Sequence, residues 1–537
     1  MTAAERPVIR SVLDKLVGQG LLIPASRLWS LLPPEREAPG LAAAAAAPVT
    51  TVAIPTCGRP IQLKRLLESL LADRSVIARR PRVLVVDDSR DDQARSANLE
   101  VVRALADGPL QLSYADREDR ARFARELSRV SGVPEAVARY ALLGDEAARN
   151  TVGATRNSIL LATLGELIVS MDDDMHLGFF PLQDSEFSLT ISGSDRRYSA
   201  RRIGSLEEFG ELSRDLQPLD FIGAFEGLLG RTLHDVLRSP GGEKARPTFD
   251  QVSPEILDCV QSDAARVTSA FMGAAGRPGI GGRDQFLFHS GQKLASITRS
   301  RSLFERSLLQ PVMIAGPDRQ FVSRAGVSMM GIAGLDNRLD LPPFLPVWVG
   351  EDDFFGKLHA VCDRYALRAY LPYSMLHHPD FAPESWDQFW EGTVSFNVNG
   401  LLIALLDRLA SSSLVEVGAF LAEIADLGLP ALEELMREIR VKHMRSRYAR
   451  YEEHREKNMG NAPDFYHAAL EELGKRIRRT LESSEISVPS EFRGDSVPAS
   501  MRRLQALIRA TSALLASWGA LVDGAKALSS AGRTLFR

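Results

Sequence analysis

The chain has 537 residues, more than a single hydrophobic core usually serves, so we expect two or three domains. Its 65 basic and 69 acidic residues give a net charge of -4, which excludes a general electrostatic attraction to nucleic acid or anionic lipid. The three cysteines are far apart, so neither a disulfide framework nor a zinc site is indicated, and a reducing, cytoplasmic location is expected.

Residues 1–48 are predicted to form a short helical segment and a linker. Apolar residues recur at helical spacing between residues 8 and 32, with Gly20 as a candidate stop. The stretch from Pro33 to Pro48 is rich in Pro, Glu and Ala, which is typical of a linker. The most apolar stretch, Leu41 to Pro55, is too short to cross a bilayer, so membrane association is not expected.

From residue 49 onward, short apolar strands alternate with amphipathic helices. The predicted strands are Thr51–Pro55, Arg82–Val86, Leu110–Tyr114 and Leu167–Met171. The predicted helices cover 61–72, 91–106, two stretches within 118–143, and 152–164. This alternation predicts βαβ units and therefore an α/β fold with a mostly parallel, Rossmann-like sheet covered on both faces. Ligands bind such sheets at the carboxyl ends of the strands.

We predict a catalytic domain over residues 49–382 and a helical C-terminal region over residues 383–537. Within the catalytic domain, an elaborated region at about 178–345 is expected to form an acceptor site or lid. The basic stretch from Arg437 to Arg450 is interleaved with glutamates, which favours a solvated helix face over a nucleic-acid site.

The last segment, Met501 to Leu528, carries an apolar stripe at helical spacing. We expect this stripe to be buried against the catalytic domain or in a homodimer, and a position on a membrane surface is the alternative.

Three consecutive aspartates, Asp172, Asp173 and Asp174, follow the predicted strand that ends at Met171. Like charges this close together are unfavourable unless positive charge lies among them. A divalent cation such as Mn²⁺ or Mg²⁺ would supply that charge, because hard cations take carboxylate oxygens. The triplet therefore predicts a metal site, and a solvated acidic turn is the alternative.

Four motifs follow one another in a fixed order: TTVAIPTCGRPIQLKRLLESLL, VLVVDDS, GATRNSILLATLGELIVSMDDDMH and WVGEDDFF. Together they resemble family-2 glycosyltransferases of the GT-A fold, and most of all the enlarged bacterial members associated with natural-product or peptide modification. The resemblance covers residues 50–178 and 345–380. It implies a GT-A catalytic domain that transfers a sugar from a nucleotide-sugar donor to an acceptor.

The resemblance implies a nucleotide pocket at the ends of the first strands. Its implied residues are Pro55, Thr56, Arg59, Asp87, Asp88 and Arg156. Asp88 would accept the imide N–H that uracil and thymine share, so UDP- and dTDP-sugars are the expected donors. Arg156 would offset phosphate charge. The structural alternatives are a strand-end turn for Asp88 and a helix-surface salt bridge for Arg156.

The resemblance also implies roles for the aspartate triplet. Asp174 would bind the metal, with Asp172 completing the Asp-x-Asp pattern, and Asp172 and Asp173 would hold ribose and sugar hydroxyls. A late histidine ligand is expected at the pair His377 and His378, and His378 is the favoured member.

The second acidic cluster, Glu351 to Asp353, supplies the candidate base. Inverting transfer needs a carboxylate that takes the proton of the acceptor hydroxyl. The resemblance assigns this role to Asp352, and an alignment shifted by one residue would assign it to Asp353 or Glu351. Capping of the following helix is the structural alternative for one of the three.

Two other functions fit the same fold class. A sugar nucleotidyltransferase would need a glycine-rich phosphate loop after the first strand, where PTCGRP has one glycine. A non-catalytic nucleotide-sugar-binding scaffold would not need the intact carboxylates and histidine pair. The expected acceptor is soluble and is a small molecule, a glycan or a peptide.

Overall fold

The computed structural model describes residues 5–28, 47–182, 189–193, 198–203, 206–212, 214, 216–237, 248–276, 284–309, 312–326, 328–378, 384–483 and 488–536. Most of the predicted linker, and the domain boundary predicted between 382 and 383, lie outside these residues.

Thirteen strands in the described part of the chain form one sheet. They are β1 (Val49–Thr56), β2 (Arg82–Asp87), β3 (Leu112–Ala115), β4 (Leu167–Met171), β5 (Met175–Pro181), β6 (Thr190–Ser192), β7 (Tyr198–Arg202), β8 (Thr248–Asp250), β9 (Arg266–Gly276), β10 (Met313–Pro317), β11 (Phe321–Ser323), β12 (Ile332–Asp336) and β13 (Ala366–His377). Ten of them follow the order β3-β2-β1-β4-β12-β9-β13-β11-β6-β8.

The α-helices begin at the N-terminus and dominate the C-terminal region. They are α1 (Glu5–Gly18), α2 (Ala25–Leu28), α3 (Pro60–Ala72), α4 (Arg74–Arg79), α5 (Asp92–Ala104), α6 (Arg117–Ser131), α7 (Glu135–Leu143), α8 (Val152–Ala162), α9 (Leu206–Leu212), α10 (Phe221–Glu226), α11 (Leu233–Leu237), α12 (Pro254–Gln261), α13 (Gly291–Ile297), α14 (Arg301–Leu309), α15 (Glu351–Cys362), α16 (Trp386–Val394), α17 (Val398–Leu406), α18 (Leu414–Ala425), α19 (Leu429–Asn458), α20 (Asp464–Glu482) and α21 (Val497–Ser530).

The N-terminal half of the sheet has the predicted alternation, and β1 to β4 begin and end within two residues of the predicted bounds. These strands are parallel: β1 pairs with β2 and β4, and β2 pairs with β3. One helix, α4, was not predicted. It begins after Asp73, whose side chain accepts hydrogen bonds from the backbone N–H groups of Ser75 and Val76. The mixed α/β fold with a helical C-terminal region is confirmed.

The elaborated region contributes strands to the middle of the sheet. β9 and β12 lie between β4 and β13, and β12 runs antiparallel to both β4 and β9. The sheet is therefore parallel through its first four strands and mixed beyond them. The alternating pattern disappears from the sequence there because antiparallel neighbours need no helical crossover between them.

Apolar side chains cover both faces of the sheet. Val52 and Ile54 of β1 point to the face covered by α3 and α10, whereas Ala53 points to the face covered by α6, α7 and α21. On that second face Trp518 is 1% exposed, and its Nε1 donates to the backbone oxygen of Leu341 at 2.8 Å. The apolar stripe of α21 is thus buried by the chain itself, as expected. A homodimer through these helices stays a prediction.

The basic stretch of α19 is largely exposed, as expected: Arg437, Lys442, Arg445 and Arg450 are exposed, and Arg440 and Arg447 are half-buried. Two of these residues also contact the predicted catalytic domain. Arg447 forms an ion pair with Asp284, and the guanidinium of Arg450 lies 4.3 Å from the ring centroid of Phe288. These residues pack α19 against the segment that precedes α13.

One stretch of the described chain, Trp386–Leu406, could cross a membrane by its length and composition, and 56% of it is buried. It comprises two helices, α16 and α17. Buried core helices of soluble proteins meet the same criterion, so the finding is weak evidence for a span.

Candidate active site

The carboxyl ends of β1, β2 and β4 border a cavity of about 780 Å³. Most of the predicted site residues line it: Pro55, Thr56, Arg59, Asp88, Arg156, Asp172, Asp173, Asp174, Glu351, Asp352, Asp353 and His377. Asp87 and His378 are outside its lining. The fold therefore brings polar residues of all four motifs, and one of the two histidines, to a single cleft.

The turn after β1 positions Arg59 at this cleft. Gly58 has a φ of +63°, which a residue without Cβ adopts at little cost, and its N–H donates to Ser89 Oγ at 2.8 Å. Pro60 then begins α3, where its missing N–H is not needed. The short turn leaves the Arg59 side chain, 42% exposed, beside the aspartate triplet.

Arginine and threonine side chains hold the aspartate triplet. Arg59 Nη1 lies 3.1 Å from Asp173 Oδ1 and 2.8 Å from Asp174 Oδ2. Thr56 Oγ1 donates to Asp173 Oδ2 at 2.7 Å. Burial raises the pKa of Asp173 to about 7, although the charge of Arg59 acts in the opposite direction. The positive charge expected among the aspartates is thus supplied in part by the protein.

His377 is the histidine that reaches the triplet. Its Nε2 lies 3.3 Å from Asp174 Oδ1. His378 is exposed and packs edge-on against Phe209, with ring centroids 6.2 Å apart. Successive side chains at the end of β13 point to opposite faces, so only one of the pair can face the cleft. The structure places His377 there, not the favoured His378.

Asp174 and His377 fit a divalent cation that is completed by other ligands. Their facing atoms are separated by about the distance between neighbouring ligands of one ion. Burial alone would raise the pKa of Asp174, but hydrogen bonding and charge from His377 and then Arg59 lower it, which favours the carboxylate. In the described part of the chain, no three His, Cys, Asp or Glu side chains form a ready-made metal cluster. A cation here would need oxygens from a substrate, as Mg²⁺ takes them from phosphates.

Asp88 lies at the opposite edge of the cavity between two arginines of α6. Its Oδ1 accepts from Arg117 Nη1 at 2.6 Å and from Arg120 Nη1 at 2.9 Å, and its Oδ2 accepts from Thr151 Oγ1. A carboxylate has about four acceptor positions, so Oδ2 retains one.

Asp87 is a structural residue. It is fully buried, and its carboxylate accepts from Ser89 N at 2.8 Å, Asn98 Nδ2 at 3.0 Å and Tyr114 OH at 2.6 Å. These contacts attach the end of β2 to α5 and β3, on the side away from the cavity.

Arg156 joins the two acidic clusters. It is 4% exposed, and its Nη2 lies 2.7 Å from Asp172 Oδ1 while its Nε lies 3.3 Å from Glu351 Oε1. It is therefore a buried bridge and not a helix-surface salt bridge. Its helix α8 comes close enough because residue 153 is glycine: a Cβ there would lie 1.8 Å from the backbone oxygen of Leu345.

The second acidic cluster occupies the first turn of α15. Gly350, with a φ of +94°, precedes the helix, and the three carboxylates follow it directly. Glu351 is buried, Asp352 is half-buried and Asp353 is exposed. Burial raises the pKa of Asp352 to about 7, and the neighbouring charge of Asp353 adds to the shift. Asp352 can therefore gain or lose a proton near neutral pH.

Several residues that line the cavity or support its lining were not predicted. Arg120 is fully buried outside the lining and donates to Asp88, whereas Asn397 and Asn399 belong to the lining. Arg120 lies in the apolar stripe of α6 with Phe123 and Leu127, and a charged residue at helical spacing among apolar ones is a signal that could have identified it. Asn397 and Asn399 come from α17 and the residue before it, in the region predicted to be separate from the catalytic domain. Nothing in their local sequence marks them, because their position depends on tertiary packing.

No family model and no curated protein sequence matches this chain. Among solved structures, it is similar to the crystal structure of S. aureus TarS 1-349, with 15% identity, 83% of this chain and 97% of that chain covered, and a TM-score of 0.27. At a TM-score this low, the similarity supports no conclusion about activity, and the function must be inferred from the site.

Proposed function

We propose that this chain is a GT-A glycosyltransferase that transfers a sugar, with inversion, from a UDP- or dTDP-sugar to an acceptor hydroxyl. The observation that supports it most is the single cavity that holds Asp88, the aspartate triplet and the second acidic cluster. Arg156 bridges the triplet and the second cluster. The triplet would therefore bind the donor on one side of this buried guanidinium, and the second cluster would supply the base on the other side.

The donor would occupy the side of the cavity bordered by β1 and β2. The remaining acceptor position on Asp88 Oδ2 suits the imide N–H of uracil or thymine. When the donor binds, Arg59 would exchange one of its contacts with the triplet for a contact with the diphosphate, since guanidinium groups bind phosphate oxygens well. Asp173, held by Thr56, would accept hydrogen bonds from hydroxyls of the ribose or the sugar.

A divalent cation, Mn²⁺ or Mg²⁺, would be held by Asp174 and His377. When bound, it would neutralise charge that builds up on the leaving diphosphate. Asp172, whose Oδ1 is occupied by Arg156, would orient that arginine and could supply its other oxygen.

Asp352 would act as the base. The acceptor must attack from the face of the sugar opposite the diphosphate, so the base cannot belong to the triplet that holds the diphosphate. A pKa raised to about 7 lets Asp352 be ionised at neutral pH and still accept a proton readily.

Nucleotide selectivity tests this proposal. We expect UDP or dTDP to bind more tightly than GDP or ADP in calorimetry with Mn²⁺ present, because Asp88 accepts from a pyrimidine imide. Asp88→Asn should lower this preference about 10- to 100-fold, the range expected for a lost hydrogen bond to a charged group. Asp92→Ala, at a side chain 87% exposed on α5, serves as the control and should not change it. Tighter binding of GDP than of UDP would contradict the proposal.

A further inference from the structure

A second cavity adjoins the candidate active site. Its volume is about 970 Å³, and Asp353 lines both cavities. One face of α15, with Lys357 and Ala360, forms a wall of it, and Ile403 of α17 lies on another side. Because Asp353 follows the candidate base directly, a molecule with a hydroxyl at Asp352 could extend into this second cavity.

Four cationic side chains line the second cavity, and two of them are paired. Arg364 Nη2 lies 2.9 Å from Asp258 Oδ2, and Lys357 Nζ lies 2.5 Å from Asp407 Oδ1. Both pairs are at least partly exposed, and in each pair the carboxylate neutralises the charge of the cation.

The other two cations, Arg324 and Arg368, contact backbone oxygens instead. Arg324 Nη2 donates to Ala360 O at 2.8 Å, and Arg368 donates to Gly326 O at 2.6 Å and to Gly356 O. Across the described ranges, neither has a carboxylate within ion-pair distance, and Arg324 Nε is buried without a hydrogen-bond partner.

The charge of these two arginines is therefore only partly compensated. The carboxylates that remain on the cavity lining are Glu255, at the exposed start of α12, and Asp353, at the junction with the first cavity. A guanidinium held away from water favours a paired anion, and its planar donors suit carboxylate and phosphate oxygens. The contact with Ala360 O also places Arg324 near the C-terminal end of α15, where a cation stabilises the helix.

We propose that the second cavity binds a phosphate or carboxylate group of the acceptor, through Arg324 and Arg368. This inference rests on the proposed function, since it takes Asp352 as the place of the reacting hydroxyl. Ala360 lies eight positions after Asp352 along α15, a rise of about 12 Å. The acceptor would thus carry its anionic group roughly that distance from the hydroxyl that receives the sugar.

Binding of inorganic phosphate tests the site without any donor. At constant ionic strength, calorimetry should detect saturable binding to the full-length protein, weakened about 10- to 100-fold in Arg324→Gln. Arg324→Lys keeps the charge and should retain most of the affinity. Arg364→Gln, which removes a paired cation from the same cavity, is the matched control and should leave binding unchanged. Thermal unfolding of each variant separates loss of the site from loss of the fold.

A second arm distinguishes an acceptor group from a free anion. Compounds compared as phosphorylated and unphosphorylated pairs, such as maltose 6′-phosphate and maltose, are tested for stimulation of nucleotide release from a donor, because their reducing-end hydroxyl lies roughly as far from the phosphate as the proposal requires. The phosphorylated members should stimulate more, and the difference should disappear in Arg324→Gln while the affinity for UDP stays the same. Stimulation by inorganic phosphate alone, at the same level, would show that the anion is not part of the acceptor.

The inference is overturned if phosphate shows no saturable binding, or if it binds Arg324→Gln as tightly as the unsubstituted chain. A lower melting temperature for Arg324→Gln with unchanged phosphate affinity would give Arg324 only its helix-end role. Failure of nucleotide-sugar binding would instead count against the proposed function and leave the phosphate measurement valid.

Discussion

At the scale of single residues, the site depends on how carboxylates and arginines share charge. Arg156 and Arg59 each contact two carboxylates, so these four acidic groups are not left as unpaired buried charge. Burial raises the pKa values of Asp173, Glu351 and Asp352 to about 7. Asp173 and Glu351 each contact an arginine, whereas Asp352 has no arginine partner among the described ion pairs. That difference makes it the carboxylate best suited to exchange a proton.

We expect Asp352→Asn to lower kcat about 10²- to 10⁴-fold, the usual cost of losing a general base. The affinity for the donor should change little, because the base acts mainly in the transition state. Asp353→Asn, at the exposed neighbour, is the matched control and should keep most of the rate. A rate loss in Asp353→Asn instead, at constant donor affinity, would move the role of base by one residue.

The pH dependence follows from the same pKa. Below about pH 7 the carboxyl of Asp352 is protonated and cannot accept a proton, so kcat/KM should rise up to about pH 7 and then level off. The stability of the fold changes in the opposite direction. Because the pKa of Asp352 is higher in the folded than in the unfolded state, the folded state loses stability as the pH rises from about 4 to about 7. Asp352→Asn should therefore unfold at a higher temperature than the unsubstituted chain at pH 8. Equal melting temperatures at pH 8 would show that the buried, ionised carboxylate of Asp352 does not destabilise the folded protein.

The two histidines provide a matched pair for the metal site. We expect His377→Ala to weaken the affinity for Mn²⁺, followed by electron paramagnetic resonance in the presence of UDP. Removing a residue that only supports a metal ligand lowers metal affinity about 10- to 100-fold, so removing His377 itself should lower the Mn²⁺ affinity by at least that much. His378→Ala should bind Mn²⁺ normally, since its ring packs on Phe209 outside the cavity. The reverse result would restore His378 as the ligand.

At the scale of elements, the close approach of α8 to the segment before α15 fixes the distance between the two acidic clusters. Gly153 permits this approach, and Arg156, one turn later on the same helix, spans the gap. The helix is almost wholly buried, so its position is set by packing on both sides.

Gly153→Ala should destabilise the protein by about 1–3 kcal/mol, the range for an overpacked site, because the new Cβ would meet Leu345 O. Gly519→Ala is the control: that glycine lies within α21 with nothing within 4 Å of an added Cβ. It should be neutral or stabilising by about 0.5–1 kcal/mol. Chemical denaturation measures both, and a neutral Gly153→Ala would mean that α8 can shift.

Much of the N-terminal half could be predicted from its sequence, because short apolar strands and amphipathic helices each have a clear period. The polar residues at the strand ends then predicted the cleft, since parallel strands end at one edge. Other features depend on contacts that local sequence does not encode. To choose between His377 and His378, one must know which side chains of β13 point to the cavity. To place Asn399 in the cavity, one must know where α17 packs.

At the scale of the whole molecule, the C-terminal region contributes to the candidate active site, since Asn397 and Asn399 line its cavity. Helix α21 packs along α6, α7 and α18, so it joins the helices that hold Arg117 and Arg120 to the helical region that carries Asn399. The candidate active site is therefore built from both predicted regions, and its proposed base lies on α15, near the end of the predicted catalytic domain.

The central claim, transfer of a sugar from a UDP- or dTDP-sugar, is tested most directly by a screen of nucleotide sugars for release of the nucleoside diphosphate. We predict release from at least one UDP- or dTDP-sugar with Mn²⁺, its loss in excess chelator and its recovery when Mn²⁺ is restored. Asp174→Asn should abolish this release and weaken donor binding. Release of pyrophosphate instead, or full turnover in excess chelator, would contradict metal-dependent sugar transfer by this chain.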